Sequence, residues 1–433
     1  MRDAPVGVET PPLGRGAVRG GKKSNDMVGV MQTSIDDFLN NKYRSVLFRE
    51  LVKLRTNYAT HDLYPYPAKF IPNVVRYFIE AYTKPGETLF DPFAGSGTLA
   101  IEAEITGRNY ILWDLNPIIE ILVKAETWKD EISEKIFEID FNYNKSFIPK
   151  WKNLGYWHPK EFIAQLSKLW AYYQDHPNPL VAIPLFKITK YFSYADYEFP
   201  NFFKSKFAIE RVNELLNSNW KEIMRDMYWK EVERVIRKVK EFQSLCKCVS
   251  SGRVYGGVDV LSESPPNVDA VITSPPYLQA QEYIRTFKIE LYWLGYDDNK
   301  ITELSKKEIP YNKPPNVEIR SKTFKEYLEK IEEFGNKKLV DIYITYFRSL
   351  TYFFGKVNAR TLGIFVGPVK VRTLRVPIDE ILKEHLESLG WKHEVTFIDK
   401  IVSRRMKKVD KNPATKLEDE RTPTEHLLIM KKN

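Results

Sequence analysis

Residues 88–100 read Thr88-Leu89-Phe90-Asp91-Pro92-Phe93-Ala94-Gly95-Ser96-Gly97-Thr98-Leu99-Ala100, and the rest of the chain is placed from them. The short apolar run closed by Asp91 predicts a strand, the glycines a turn, and Thr98 to Ile105 a helix. Gly95 and Gly97 let the backbone pass close to a ligand, and the helix start adds unpaired N–H groups. A second strand, Asn109 to Trp113, ends in Asp114 about twenty residues later, where a carboxylate can accept bonds from ribose hydroxyls. There is no third glycine at dinucleotide spacing and no Gly-Lys-Ser/Thr. Neither a nicotinamide dinucleotide nor a P-loop nucleotide is favoured.

Further along, Val268-Asp269-Ala270-Val271-Ile272-Thr273-Ser274-Pro275-Pro276-Tyr277 reads as a buried strand, Ala270 to Ile272, running into a stiff polar elbow. The two prolines fix their own φ and bias Ser274 and Pro275 toward extended backbone. Proline nitrogens carry no hydrogen, which leaves nearby carbonyls available to a ligand. Ser274 adds a hydroxyl and Tyr277 a flat apolar face, a set that suits a planar group bearing an exocyclic amine. An ordinary Pro-Pro loop after a strand would carry the same residues.

With Asp114-Leu115-Asn116-Pro117 between them, Asp91-Pro92-Phe93-Ala94-Gly95-Ser96-Gly97-Thr98 and Thr273-Ser274-Pro275-Pro276-Tyr277 resemble the cofactor and catalytic motifs of the DNA amino-methyltransferases. That family transfers a methyl group from S-adenosylmethionine to N4 of cytosine or N6 of adenine. The resemblance covers residues 60–127 and 252–433. It implies an α/β, doubly wound, mostly parallel sheet of seven strands with the last antiparallel, the Rossmann-like class I methyltransferase fold. It also implies S-adenosylmethionine as cofactor, bound by Asp91, Pro92, Phe93, Ala94, Gly95, Ser96, Gly97 and Thr98, with Asp114, Leu115 and Asn116 at the next strand end.

Thr60-His61-Asp62-Leu63-Tyr64-Pro65-Tyr66-Pro67-Ala68-Lys69-Phe70-Ile71-Pro72 is similar to the family segment that closes over the methionine end of the cofactor. That likeness brings Tyr66, Pro67, Lys69 and Phe70 to the pocket border; a surface loop packed on the sheet edge is the other reading. In similar enzymes an acidic or polar residue ending the third strand commonly reaches the adenine ring; Asp259, closing the strand from Arg253 to Val258, is the candidate here, or else it caps the turn that follows.

In the reaction the resemblance implies, Ser274 Oγ and the Pro275 carbonyl accept the two hydrogens of the target amine, localising its lone pair and aiming it. Pro276 shapes the turn and Tyr277 stacks on the base, which must first be flipped out of the duplex. In similar enzymes Ser-Pro-Pro-Tyr goes mainly with cytosine N4, and Asn or Asp in the first place with adenine N6. Cytosine N4 is therefore expected here. The implied partners are double-stranded DNA and a cognate restriction endonuclease acting separately. An N6-adenine enzyme, a tRNA guanine-N2 amino-methyltransferase and a DNA reader without transfer activity are the rivals.

The 433 residues suffice for two or three domains, and the formal charge of +9 suits a polyanionic partner. No apolar run approaches a membrane span, so no membrane association is expected. Two cysteines, Cys246 and Cys248, argue for a reducing, cytoplasmic setting and make a poor zinc site.

Residues 1–30 read as a disordered basic arm, 31–127 and 251–433 as the two parts of the catalytic domain, and 128–250 as a mostly helical inserted domain. That insertion crowds Tyr191, Phe192, Tyr194, Tyr197, Phe199, Phe202 and Phe203 among lysines, the composition of a base-stacking surface and equally of a core with solvated lysines. Its face toward the Ser274 elbow is the candidate for reading the target. Arg285 and Lys288, the Tyr311–Pro315 loop and the Arg404–Lys408 run are candidate phosphate contacts. One long helix is expected from Phe324 to Lys356.

Overall fold

The computed structural model describes residues 42–197, 202–246, 249–278, 282–401 and 424–432. The expected basic arm, Phe199, Cys248 and the Arg404–Lys408 run lie outside the described residues.

The central sheet has eight strands: β1 (Tyr43–Val46), β2 (Thr88–Asp91), β3 (Asn109–Asp114), β4 (Gly252–Gly256), β5 (Ala270–Thr273), β6 (Thr361–Val366), β7 (Lys392–Lys400) and β8 (Thr424–Lys431). Their order across the sheet is β1-β7-β8-β6-β5-β2-β3-β4. All pairings are parallel except those of β8, which runs antiparallel between β6 and β7. The expected count of seven is corrected to eight by β1. This four-residue edge strand borrows the free side of β7, pairing Tyr43 with Thr396 through Val46 with Asp399. Its half-exposed, polar Tyr-Arg-Ser-Val sequence gave no strand signal.

The period-two alternation of the strands feeds two apolar layers. Leu89, Ala270, Ile272, Leu427 and Ile429 face helices α1 (Pro72–Tyr82), α2 (Thr98–Thr106) and α3 (Ile119–Glu126), meeting Val75, Phe78, Leu99, Ala103 and Val123. Phe90, Val271, Ile364, Leu428 and Met430 face the opposite way, onto Tyr346, Leu350 and Phe353 of helix Lys337–Lys356 and Leu382 of helix Ile378–Ser388. Helices on both faces of a parallel sheet make the fold doubly wound.

The long helix expected from Phe324 to Lys356 is instead two, Lys322–Glu332 and Lys337–Lys356. Gly335 takes φ +63° at the break, and the Asn336 side chain accepts from Leu339 N to cap the second helix.

Residues 128–250 carry the helices Lys160–Asp175, Pro179–Tyr191, Lys206–Leu216 and Trp220–Leu245. Their apolar faces do not close on themselves. Phe162, Trp170, Phe186, Tyr228 and Val235 share one core with Ile118, Leu122 and Ala125 beside the sheet and with Ile289, Trp293 and Leu304 from the later half of the chain. Residues 41–433 accordingly form one compact unit, and the boundaries at 127/128 and 250/251 mark no break in packing.

Candidate active site

Four neighbouring parallel strands, β4-β3-β2-β5, deliver their carboxyl ends to one rim. The order of connection reverses between β2 and β5, the place where such sheets open a crevice for ligands. Asp259 follows β4, Asp114 ends β3, the glycine turn follows β2 and Ser274 follows β5. A cavity of about 830 Å³, its open mouth included, lies there.

The turn after β2 is tied to both neighbours. Asp91 is buried and does not touch the cavity; its Oδ1 accepts from Thr273 Oγ1 at 2.6 Å and from Phe93 N at 3.0 Å, which locks the two motif strands together. Asp114 Oδ2 accepts from Gly95 N at 2.7 Å and its Oδ1 from Asn116 N at 2.8 Å. Burial pushes the Asp91 carboxyl up to about 7 and that of Asp114 up to about 6, against the hydrogen bonds that pull them down. Each Asp114 oxygen keeps a lone pair directed to a further donor.

The two glycines do different things. Gly95, at φ +54°, lies where an added Cβ would meet the Tyr66 ring at 3.2 Å on the cavity wall. Gly97, at φ +71°, lies where a Cβ would meet Val123 Cγ2 at 2.5 Å and Glu126 Oε2 at 3.1 Å. The expectation that both glycines admit a ligand is therefore corrected for Gly97, which lets α2 seat against α3 and is not on the cavity wall.

The Thr60–Pro72 segment is hung over this turn by buried polar bonds. Glu102 of α2 accepts from Tyr58 OH, from His61 Nε2 at 2.7 Å and from Arg76 Nε at 2.7 Å. Thr60 Oγ1 donates to Glu126 O at 2.7 Å. Lys69 results as a partly exposed stem with a buried ammonium that has no hydrogen-bond partner, and burial lowers its pKa while Glu126 opposes that shift. Burial likewise pushes the Glu126 carboxyl up to about 8.

Of the residues expected to bind cofactor, Tyr66, Lys69, Phe70, Pro92, Phe93, Ala94, Gly95, Ser96, Asp114, Leu115, Asn116 and Asp259 line the cavity. Pro67, Asp91, Gly97 and Thr98 stand behind it. Asp259 lines the wall and caps the turn that follows, its carboxylate accepting from Leu261 N at 3.0 Å, Ser262 Oγ at 2.9 Å and Asn312 Nδ2 at 3.0 Å.

Of the elbow, Ser274 and Pro276 reach the cavity wall; Pro275 and Tyr277 do not. Tyr277 packs against the apolar layer under the sheet and donates its hydroxyl to Glu425 Oε1 at 2.7 Å, so its ring is not presented to the cavity. Tyr346 OH donates to Pro276 O at 2.9 Å and pins the elbow. Among the described residues nothing bonds to the Ser274 hydroxyl or to the Pro275 carbonyl.

Sequence reasoning missed the far wall: Tyr283, Ile284, Lys307, Glu308 and Ile309. Glu308 is buried, accepts from Ile284 N at 3.0 Å, and burial pushes its carboxyl up to about 7. Its only sequence signal was an acid ending a lysine-rich helix, which is commonplace.

The donor set fits S-adenosylmethionine. An unpartnered ammonium at Lys69 complements an α-carboxylate, Asp114 complements a ribose, and carboxylates at Asp114, Asp259 and Glu308 complement a sulfonium cation. Fold and cavity together fit a class I, S-adenosylmethionine-dependent methyltransferase.

The DNA methylase family model of N6/N4 enzymes matches residues 31–124. The type II methyltransferase M.MvaI of Kocuria varians is 23% identical over 462 residues, covering 95% of this chain and 98% of its own length. M.BsoBI of Geobacillus stearothermophilus is 26% identical over 299 residues, covering 60% of this chain and 58% of its own. M.MjaII of Methanocaldococcus jannaschii is 34% identical over 119 residues, covering 27% of this chain and 21% of its own. The chain is thus similar to the DNA amino-methyltransferases of the N4/N6 family, whose methyl donor is S-adenosylmethionine. Among the described residues no helix is long and apolar enough to cross a membrane.

Proposed function

We propose that this chain is a site-specific methyltransferase of a restriction–modification pair, acting on N4 of a cytosine flipped out of duplex DNA. The observation that supports it is a pair of acceptors to which nothing bonds among the described residues, Ser274 Oγ and Pro275 O, on an elbow fixed by Tyr346 and adjoining the cavity that holds Asp114 and the Gly95 turn. An aromatic amine is a poor nucleophile because its lone pair is delocalised into the ring. Two acceptors for its two hydrogens hold the amine plane and localise that pair. Bound S-adenosylmethionine supplies an electrophilic methyl carbon on a sulfonium. The chain's own residues do the rest: Lys69 and Asp114 hold the ends of the cofactor, Ser274 orients the amine, and the Glu308 carboxylate offsets positive charge arriving on nitrogen. The short reach of a serine hydroxyl, where similar N6-adenine enzymes carry Asn or Asp, favours the smaller pyrimidine. The relatives M.MvaI and M.BsoBI are themselves type II methyltransferases.

The test is incubation with methyl-labelled S-adenosylmethionine and either duplex DNA or tRNA, followed by hydrolysis and chromatography of the nucleosides. N4-methylcytosine from DNA is the expected product. N6-methyladenine instead would move the target base, label in tRNA alone would remove the DNA reading, and label in neither would leave a reader without transfer.

A further inference from the structure

Beside the cofactor cavity lies a broader basin of about 1700 Å³, its open mouth included. One wall comes from the helical insertion, with Tyr156 and Lys204; the other comes from the catalytic half, with Arg285, Lys288, Lys306 and Tyr311. Glu308 lines both spaces, so the basin opens at the mouth of the site where the target amine would sit.

Two properties of this basin point to one kind of occupant. The first is aromatic exposure: Tyr156 is 58% and Tyr311 48% exposed, in a protein that buries most of its large rings. The second is unpaired charge. Lys204, Lys288 and Lys306 have no carboxylate partner among the described residues, whereas Glu282 is taken up by Arg285 at 2.8 Å and Asp298 by the Tyr292 hydroxyl. Lys204 Nζ lies over the ring of Tyr156, 4.6 Å from its centroid, and over that of Tyr194 at 3.9 Å, so cation and aromatic face are presented together.

Ammonium groups alone would fit the phosphates of any duplex. Exposed ring faces fit something narrower. In a duplex the faces of neighbouring bases are stacked on one another, so a tyrosine ring can stack only on a base that has left the helix. We infer that the basin holds nucleotides flanking the target on the same DNA strand, unstacked onto Tyr156 and Tyr311 with their phosphates on Lys204, Lys288 and Lys306. The inference rests on the DNA reading above and adds that the duplex is opened beyond the single flipped nucleotide.

The experiment measures affinity of the full chain for a mixed-sequence single-stranded DNA 12-mer, the same sequence as duplex, and the same sequence as RNA. Wild type should bind the single strand at least as tightly as the duplex. Tyr156→Ala and Tyr311→Ala should each weaken single-strand binding by roughly tenfold or more while changing duplex binding by less than about threefold. Lys288→Glu should weaken both and flatten the dependence on salt.

Unchanged cofactor affinity in the tyrosine variants would show that they fold. Single-strand binding indifferent to both tyrosines would overturn the inference, as would tighter, tyrosine-dependent binding of RNA. Wild type that methylates duplex DNA yet fails to bind the single strand would overturn it too and leave the proposed activity standing. Absence of methyl transfer to any DNA would strike the activity itself.

Discussion

Substituting alanine for Gly97 tests whether the second glycine of the turn serves the fold or the ligand. The residue holds φ +71°, and an L side chain in the left-handed region costs about 1–2 kcal/mol. The new methyl would stand 2.5 Å from Val123 Cγ2, inside a buried contact between α2 and α3 that has no slack. Overpacking of this kind costs about 1–3 kcal/mol. The variant should therefore lose about 2–5 kcal/mol of stability, read by guanidinium unfolding followed in the far ultraviolet.

Adding Val123→Ala gives a second handle, because it removes the methyl that the new one strikes. The double variant should recover the packing part and keep the conformational part, so the cycle should show a coupling of about 1–3 kcal/mol. Gly95→Ala is the control: its φ of +54° predicts similar strain, but its methyl meets Tyr66 on the cavity wall, so cofactor affinity should fall as well. Stability of Gly97→Ala within about 0.5 kcal/mol of wild type, or no coupling to Val123, would refute the reasoning.

Three further substitutions address the site directly. Ser274→Ala should lower turnover by about a hundredfold or more with cofactor affinity nearly unchanged, since it removes one acceptor for the amine and nothing from the cofactor wall; full turnover would end that role. Lys69→Met should weaken S-adenosylmethionine by roughly tenfold or more, by calorimetry, while leaving the free protein equally or more stable, because an unpartnered buried ammonium is removed. Tyr277→Phe loses only the bond to Glu425, so about 1 kcal/mol of stability and little turnover should go; a tenfold drop in turnover would show that the hydroxyl, and not only the ring, serves the reaction.

The parts that were legible in the sequence are those whose physics is local. Strand, glycine turn and helix at 88–105 follow from one apolar run and two residues without side chains, and the structure sets Thr88–Asp91 and Thr98–Thr106 there. Asp114 was legible for the same reason, since a short strand fixes where its end falls. What stayed hidden depends on distant partners. β1 exists because β7 has a free edge some 350 residues away, a separation spanned by the pairing of Tyr43 with Thr396. Glu308 enters the cavity because its carboxylate bonds to Ile284 N, and no periodicity encodes that bond. Tyr277 was misplaced because its aromatic ring suits a base and an apolar layer equally, and only the partner Glu425 on the last strand decides between them. The insertion looked separable because its helical spacing is self-consistent; that its faces close on residues outside it, Ile118, Leu122 and Trp293 among them, is a fact of packing.

The carboxyls around the cavity make cofactor binding a proton-linked event, and the sign can be worked out. Burial raises Asp114 to about 6 and Glu308 to about 7 in the free protein, so near pH 6 Glu308 is largely protonated and Asp114 about half so. A ligand bearing a sulfonium favours the ionised forms and pulls both pKa values down on binding. Its affinity must then be weakest at acid pH, rise as pH climbs through the free-protein values near 6 and 7, and level off above them, with protons released below neutrality. Each unit by which the ligand lowers a pKa is worth a factor of ten between the two limits.

S-adenosylhomocysteine shares every other group but carries a neutral thioether, so the comparison isolates the charge. The ratio of the two affinities should grow between pH 5.5 and 8 in favour of the sulfonium, and Glu308→Gln should remove the upper part of that growth. A ratio constant across the range would mean that these carboxyls do not face the sulfur. The far wall would then have to be assigned to the flipped base instead.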